Sequence, residues 1–125
     1  MEALRGTPTE SKHDIVLRAA ARSYELDGLE ALAVPDQGGS RNGSSLPDLL
    51  IPALRRVEEI ETDETIPDLN ATWYKSLRDR GLEVWVVVPL ASIGEIQTRL
   101  TGFADRIQPW WEDAGRIRFG NPRHL

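Results

Sequence analysis

The chain has no cysteine. A disulfide framework and a thiolate metal site are both excluded, so a bound metal must use oxygen ligands or the two histidines, His13 and His124. Oxygen ligands favour a hard cation such as Mg²⁺ or Mn²⁺. Long apolar runs are also missing. The longest, Val84 to Leu90 (VWVVVPL), is far short of a membrane span, and the opening MEALRGTPTESK lacks the basic-then-apolar pattern of a signal. These features predict a soluble, cytoplasmic protein. Positive charge is in deficit as well: a formal net charge of −5 argues against a protein that coats nucleic acid non-specifically, because that affinity comes from Lys and Arg neutralising phosphates. Local basic patches are still available at Arg55-Arg56, and at Arg116, Arg118 and Arg123 with His124.

What is present is ordinary globular material. The 125 residues are 40% apolar and 28% charged, enough for one packed core and too few for two. Residues 1 to 8 read as a flexible arm and residues 9 to 125 as a single domain. Thr9 or Ser11 can cap a first helix running to about Asp27, with Ile15, Ala19, Ala20 and Ser23 on one side, and Gly28 stops it. Leu29 to Val34 reads as a strand. Pro35 to Pro47 (PDQGGSRNGSSLP) has no apolar period and reads as a loop. Asp48 to Leu54 and Val57 to Thr62 read as two antiparallel strands joined by a short turn at Arg55-Arg56, with Pro52 marking an edge or a bulge.

A second helix is expected to open at Pro67-Asp68, carry Leu69, Trp73 and Leu77 at spacings of four, and end at Gly81. Leu82 to Val88 has a continuous apolar centre, as expected of a strand covered on both faces. Ser92 and Glu95 have the spacing of a capping box for a third helix carrying Ile93, Ile96, Leu100, Phe103 and Ile107. Arg116 to Phe119 alternates like a last short strand. The expected fold is therefore α/β, a mixed central sheet flanked by helices in the order helix, three strands, helix, strand, then a helix and a short strand.

Residues two apart on a strand share a face, so Glu59 and Glu61 project side by side with Val57, while Glu58 points into the core with Ile60. Asp48 begins the partner strand and can approach the same side as Glu59 and Glu61. Clustered carboxylates repel unless protons or a cation neutralise them, and a divalent metal with several waters does so economically. Such a metal also activates water and stabilises charge on a phosphate.

Pro47-Asp48, followed after a hairpin by Glu59-Ile60-Glu61-Thr62, resembles the PD-(D/E)xK motif of the restriction-endonuclease-like superfamily, and the element order is similar to its core. The Gly-Ser-rich loop ending in Pro-Asp also looks like that of archaeal-type Holliday junction resolvases, and the stretch from Trp73 to Pro89 resembles small uncharacterised members. The resemblance covers roughly residues 11 to 108. It implies a Mg²⁺- or Mn²⁺-dependent DNA endonuclease acting on double-stranded or branched DNA, and a homodimer is expected because one such small domain offers little surface to hold a duplex. It makes Asp48 and Glu59 metal ligands, assisted by the backbone carbonyl of Ile60; if DNA is the substrate, the basic patches at Arg55, Arg56, Arg116 and Arg118 are the expected phosphate contacts. Glu61 stands where the family usually has a water-orienting lysine, although some restriction enzymes use glutamate there. A shifted register, Glu61-Thr62-Asp63, keeps the same face and puts Asp63 in place of Glu59. The resolvase pattern also has a glutamate where this chain has Lys12; Glu10 and Glu25 are the nearby acids.

Plainer readings stand beside these. Glu58 to Glu64 (EEIETDE) reads equally as a solvated acidic edge running into a helix N-terminus. His13, next to Asp14, reads first as a surface residue. Trp110-Trp111 reads as a core lid or dimer patch ahead of a base-stacking platform. A catalytically inactive domain of the same fold, serving as a binding or regulatory module, is the alternative to a nuclease.

Overall fold

The computed structural model describes residues 10–35 and 46–125. The expected arm at residues 1 to 8 and most of the Gly-Ser-rich loop lie outside the described residues. Helix α1 spans Lys12–Leu26, with the Ser11 hydroxyl accepting from Asp14 N as N-cap and Gly28 beyond its end at φ +80°. Its buried side is His13, Val16, Leu17, Ala20 and Ala21, so the helix is rotated relative to the expected face of Ile15, Ala19, Ala20 and Ser23. Strand β1 is only Leu32–Ala33, shorter than the LEALAV run implies.

Strand β2 is Leu49–Ile51, after which Pro52–Leu54 forms a 3-10 turn. Proline has no N–H for a ladder, so the expected strand to Leu54 stops at it. Arg55 reverses the chain with a left-handed backbone at φ +49°, and β3 follows at Arg56–Ile60, antiparallel to β2. Pro67-Asp68 falls in a 3-10 turn, Ile66–Asp68; helix α2 starts later, at Ala71–Asp79, where the Asn70 side chain caps Thr72 N and Trp73 N. Gly81 follows its end at φ +86°.

Strand β4 is Glu83–Pro89 and is buried from Val84 to Pro89. Helix α3 covers only Ile93–Leu100, and no side-chain bond from Ser92 caps it. Gly102, at φ +92°, takes the chain out of the helix, so Phe103 lies beyond it and Ile107 belongs to strand β5, Arg106–Asp113. Strands β6, Arg116–Phe119, and β7, Arg123–His124, complete the chain.

Among the described residues, seven strands form one mixed sheet in the order β1-β2-β3-β4-β5-β6, with β7 beside β5. β1, β2 and β3 are an antiparallel meander; β3, β4 and β5 run parallel; β6 and β7 return antiparallel. The two parallel crossovers carry α2 and α3. Alternation along the strands then builds two cores. Val57, Val84, Val86, Val88 and Ile107 pack with Tyr74 and Leu77 of α2 and Ile96 and Leu100 of α3. Leu49, Ile51, Ile60, Val87 and Trp110 pack on the opposite face against Val16, Leu17, Ala20 and Ala21 of α1. Each large apolar side chain so buried stabilises the fold by about 1.5–3 kcal/mol, which fixes the strand register and hence the face each polar neighbour occupies.

Candidate functional site

The β2–β3 register sets Leu49 opposite Glu58, which brings Asp48 opposite Glu59 just past the end of β2. There the side chains replace the missing ladder bonds. Asp48 N donates to Glu59 Oε2 at 2.7 Å, and Ile60 N donates to Asp48 Oδ2 at 2.8 Å. This clamp ties the Glu59 carboxylate to the Asp48 backbone and the Asp48 carboxylate to the backbone of Ile60, the next residue along β3. Glu59 and Asp48 are both buried.

Helix α2 supplies further donors from the same face. Trp73 Nε1 donates to Glu59 Oε1 at 2.8 Å, and the Tyr74 hydroxyl donates to Glu61 Oε2. Thr65 Oγ1 gives Glu61 Oε1 a 2.6 Å bond. The Glu61 backbone is held on both sides: its N–H donates to Val87 O at 2.8 Å, and its carbonyl accepts from Trp110 Nε1 at 2.9 Å. Burial pushes the Tyr74 phenol well above its usual range, and the charges of Glu61, Glu59 and Asp48 push it further in the same direction. Tyr74 therefore stays protonated, a donor at any physiological pH, under the joint field of all three acids.

His13 is buried, which corrects its reading as a surface residue. The rotation of α1 turns it inward, with Nε2 3.1 Å from Asp48 Oδ2 and Nδ1 2.9 Å from Asp14 Oδ1. A neutral imidazole carries one N–H, and only the imidazolium donates from both nitrogens.

The site sits at the carboxyl ends of the parallel strands β3, β4 and β5, the end at which open α/β sheets present their ligand-binding crevices. Asp48, Glu59 and Glu61 are brought to this end together, and Asp63 is exposed beyond β3. Arg56 lies at the opposite end, where β3 and β4 begin: its Nε donates to Glu83 at 2.7 Å and its guanidinium lies over the Trp85 ring at 4.1 Å. Arg55 is beside it. Arg116 and Arg118 are on β6, which flanks the carboxyl end of β5.

The ligand chemistry is oxygen-rich, which suits a hard divalent cation. Among the described residues, no group of three or more His, Cys, Asp or Glu is placed to hold a metal ion. Asp48 and Glu59 offer two carboxylates, and both Glu59 oxygens already accept, from Asp48 N and Trp73 Nε1, so a cation there would share them with those donors and take its remaining ligands from water.

Glu58 points to the other face, as its position between Val57 and Glu59 requires, and accepts from Tyr24 of α1. Burial pushes its carboxyl up to about 7, against the opposing effects of the Tyr24 bond and the Arg56 charge. Trp73, Tyr74, Thr65 and His13 are the site residues that the sequence does not reveal. Only the His13-Asp14 pair in the first turn after the Ser11 cap carries a local signal.

No protein family, no curated protein and no solved structure matches this chain. No helix among the described residues is long and apolar enough to cross a membrane.

Proposed function

We propose that this domain is a divalent-cation-dependent DNA phosphodiesterase on a restriction-endonuclease-like core. The observation that carries the reading is the clamp between Asp48 and Glu59, with Glu61 two residues on and facing the same helix. The element order supports it: one helix, an antiparallel three-strand meander, a helix, then a strand parallel to the third. That is the frame implied by the resemblance of Pro47-Asp48 and Glu59-Ile60-Glu61.

Asp48, Glu59 and the Ile60 carbonyl would hold Mg²⁺ or Mn²⁺. When bound, the ion supplies Lewis-acid stabilisation of the charge that builds on the phosphoryl oxygens. Glu61 takes the role of base: water attacks phosphorus in line, its proton passes to the carboxylate, and the bond from phosphorus to the leaving oxygen breaks. Tyr74 and Thr65 fix the carboxylate by one bond to each oxygen, and each oxygen keeps a second lone pair for the water. A homodimer supplies the surface needed to hold a duplex, since one small domain offers little.

The test is cleavage of plasmid, branched and single-stranded DNA with Mg²⁺ or Mn²⁺. Cleavage roughly 100-fold lower or less in Asp48→Ala and Glu59→Ala is expected, the scale of losing a charge-stabilising group. No cleavage, together with no metal-dependent rise in melting temperature, sinks the reading. That outcome would favour a silent module of the same fold, which has its own support: Glu61 replaces the usual lysine, and both of its oxygens already accept protein donors.

A further inference from the structure

The hairpin of β5 and β6 extends past the acid site, and its two faces differ. Ile107 packs in the core shared with α2 and α3, so residues 109, 111 and 113 of β5 face that same side. Register then sets Arg118 opposite Trp111, Arg116 opposite Asp113 and Arg123 opposite Ile107. Trp111, Arg116, Arg118 and Arg123 therefore share one face along the outer edge of the sheet. Glu59, Val86 and Ile107 are in register across β3, β4 and β5, so this is also the face of Glu59 and Glu61. Trp111 lies two strands from Glu61 and two residues further along, roughly 12 Å from it by strand geometry.

We propose that this face binds single-stranded DNA, with Trp111 as a stacking platform for a base and Arg116, Arg118 and Arg123 as phosphate contacts. The inference rests on the DNA reading above and names the form of strand that the edge accepts. Trp111 is 36% exposed, and its ring is held in place on one side: a Cβ at Gly120 would lie 3.2 Å from Trp111 Cζ3 and 2.8 Å from Pro109 Cγ. Glycine thus lets the chain pass close beneath the indole, so little side-chain freedom is lost when a base stacks.

The charge is complementary to a phosphate backbone. Among the described residues Arg116 and Arg123 form no ion pair, and Arg118 makes only a long one, 3.8 Å to Asp113. Glu112 faces the other side, where Lys12 pairs with it, and Asp113, the acid of this hairpin on the arginine face, stands opposite Arg116 and beside Arg118, leaving the three arginines in excess. At about 3.3 Å per residue the arginines span a row of roughly 20 Å. An exposed indole beside such a row selects a single strand, because a paired base has its π-face covered by its neighbours in the stack.

Anisotropy of labelled oligo(dT) titrated with the full chain, at low salt and without divalent ions, tests this directly. Binding that quenches tryptophan fluorescence is expected. Trp111→Ala should weaken it roughly tenfold, Trp111→Phe should restore most of the loss, and Arg116→Ala or Arg123→Ala should each flatten the salt slope by roughly 0.7. Absence of oligo(dT) binding, equal binding by Trp111→Ala, or binding of oligo(U) or duplex alone overturns the proposal. If duplex or branched DNA is cleaved in an Asp48-dependent way while oligo(dT) is not bound, the face is wrong and the phosphodiesterase reading stands. Trp111-dependent binding by a protein that cleaves nothing does the reverse.

Discussion

Tyr74 in α2 donates its phenolic hydrogen to Glu61, and both side chains are buried. The bond fixes a carboxylate at the end of β3 from the neighbouring helix.

Tyr74→Phe removes that donor while keeping the ring in its apolar setting. A buried carboxylate oxygen is then left short of a partner, which costs about 1.5–3 kcal/mol for a bond to a charged group. The urea midpoint should fall accordingly with the slope unchanged. An unaltered midpoint would mean that Glu61 is already supplied by another donor, and the bond would lose its structural role.

Asp48 accepts a backbone bond, and the proposed function would have it hold a cation as well; two substitutions separate the observed role from the proposed one. An asparagine in its place keeps an oxygen to accept from Ile60 N, so Asp48→Asn should change stability by less than about 1 kcal/mol, whereas Asp48→Ala should cost about 1–3 kcal/mol. Both remove the charge that would bind a cation, so both should lower DNA cleavage by roughly 100-fold or more and remove any metal-dependent rise in melting temperature. Cleavage by a stable Asp48→Asn protein would remove Asp48 from the proposed metal site.

Strand periodicity alone makes one half of this site legible. Val57, Glu59 and Glu61 alternate with Glu58 and Ile60, and a single register satisfies all five. The other half depends on how helices rotate and where they stop. The α1 sequence has small residues on several sides, so Ile15 and Ala19 are as eligible for burial by pattern as Val16 and Leu17, and the wrong rotation puts His13 on the surface. Phe103 and Ile107 continue the three-and-four spacing of α3, but Gly102 adopts a left-handed backbone that ends the run. Strand β5 is hidden in the sequence because Pro109, Glu112 and Asp113 read poorly as strand, and pairing with β4, β6 and β7 supplies its order.

Glu58 gives the stability a pH dependence of known sign. Its carboxyl is pushed up to about 7 in the folded protein from an ordinary value of 4.5. Folding therefore favours the protonated form, so this contribution is complete below about pH 4.5 and is lost as pH rises towards 7. Tyr24 and Arg56 are the titratable and charged neighbours that shape the shift. Arg56 is shared with Glu83, where burial is the largest single influence and raises the pKa, but the bonds from Arg56 and Trp85 and the charges of Arg56 and Arg106 together hold the carboxyl below its ordinary value. Glu58→Gln keeps an acceptor for Tyr24 and removes the titration. Wild-type melting temperature should fall between about pH 5 and pH 8 relative to the variant; parallel profiles would place the Glu58 titration outside this range.

The turn that joins β5 to β6 is the place where stability should be easiest to add. Asp113 and Arg116 are paired across two residues that both have positive φ, Ala114 at 51° and Gly115 at 77°. This is the backbone of a two-residue hairpin turn that favours Asn-Gly, and an alanine held there carries a steric cost of about 1–2 kcal/mol. Ala114→Asn should recover about 0.5–1 kcal/mol, read as a higher thermal midpoint. Because the same turn sets Trp111 against Arg118, the variant should also leave oligo(dT) affinity unchanged or slightly tighter. A lower midpoint would show that the alanine is unstrained and that strand pairing alone holds the hairpin.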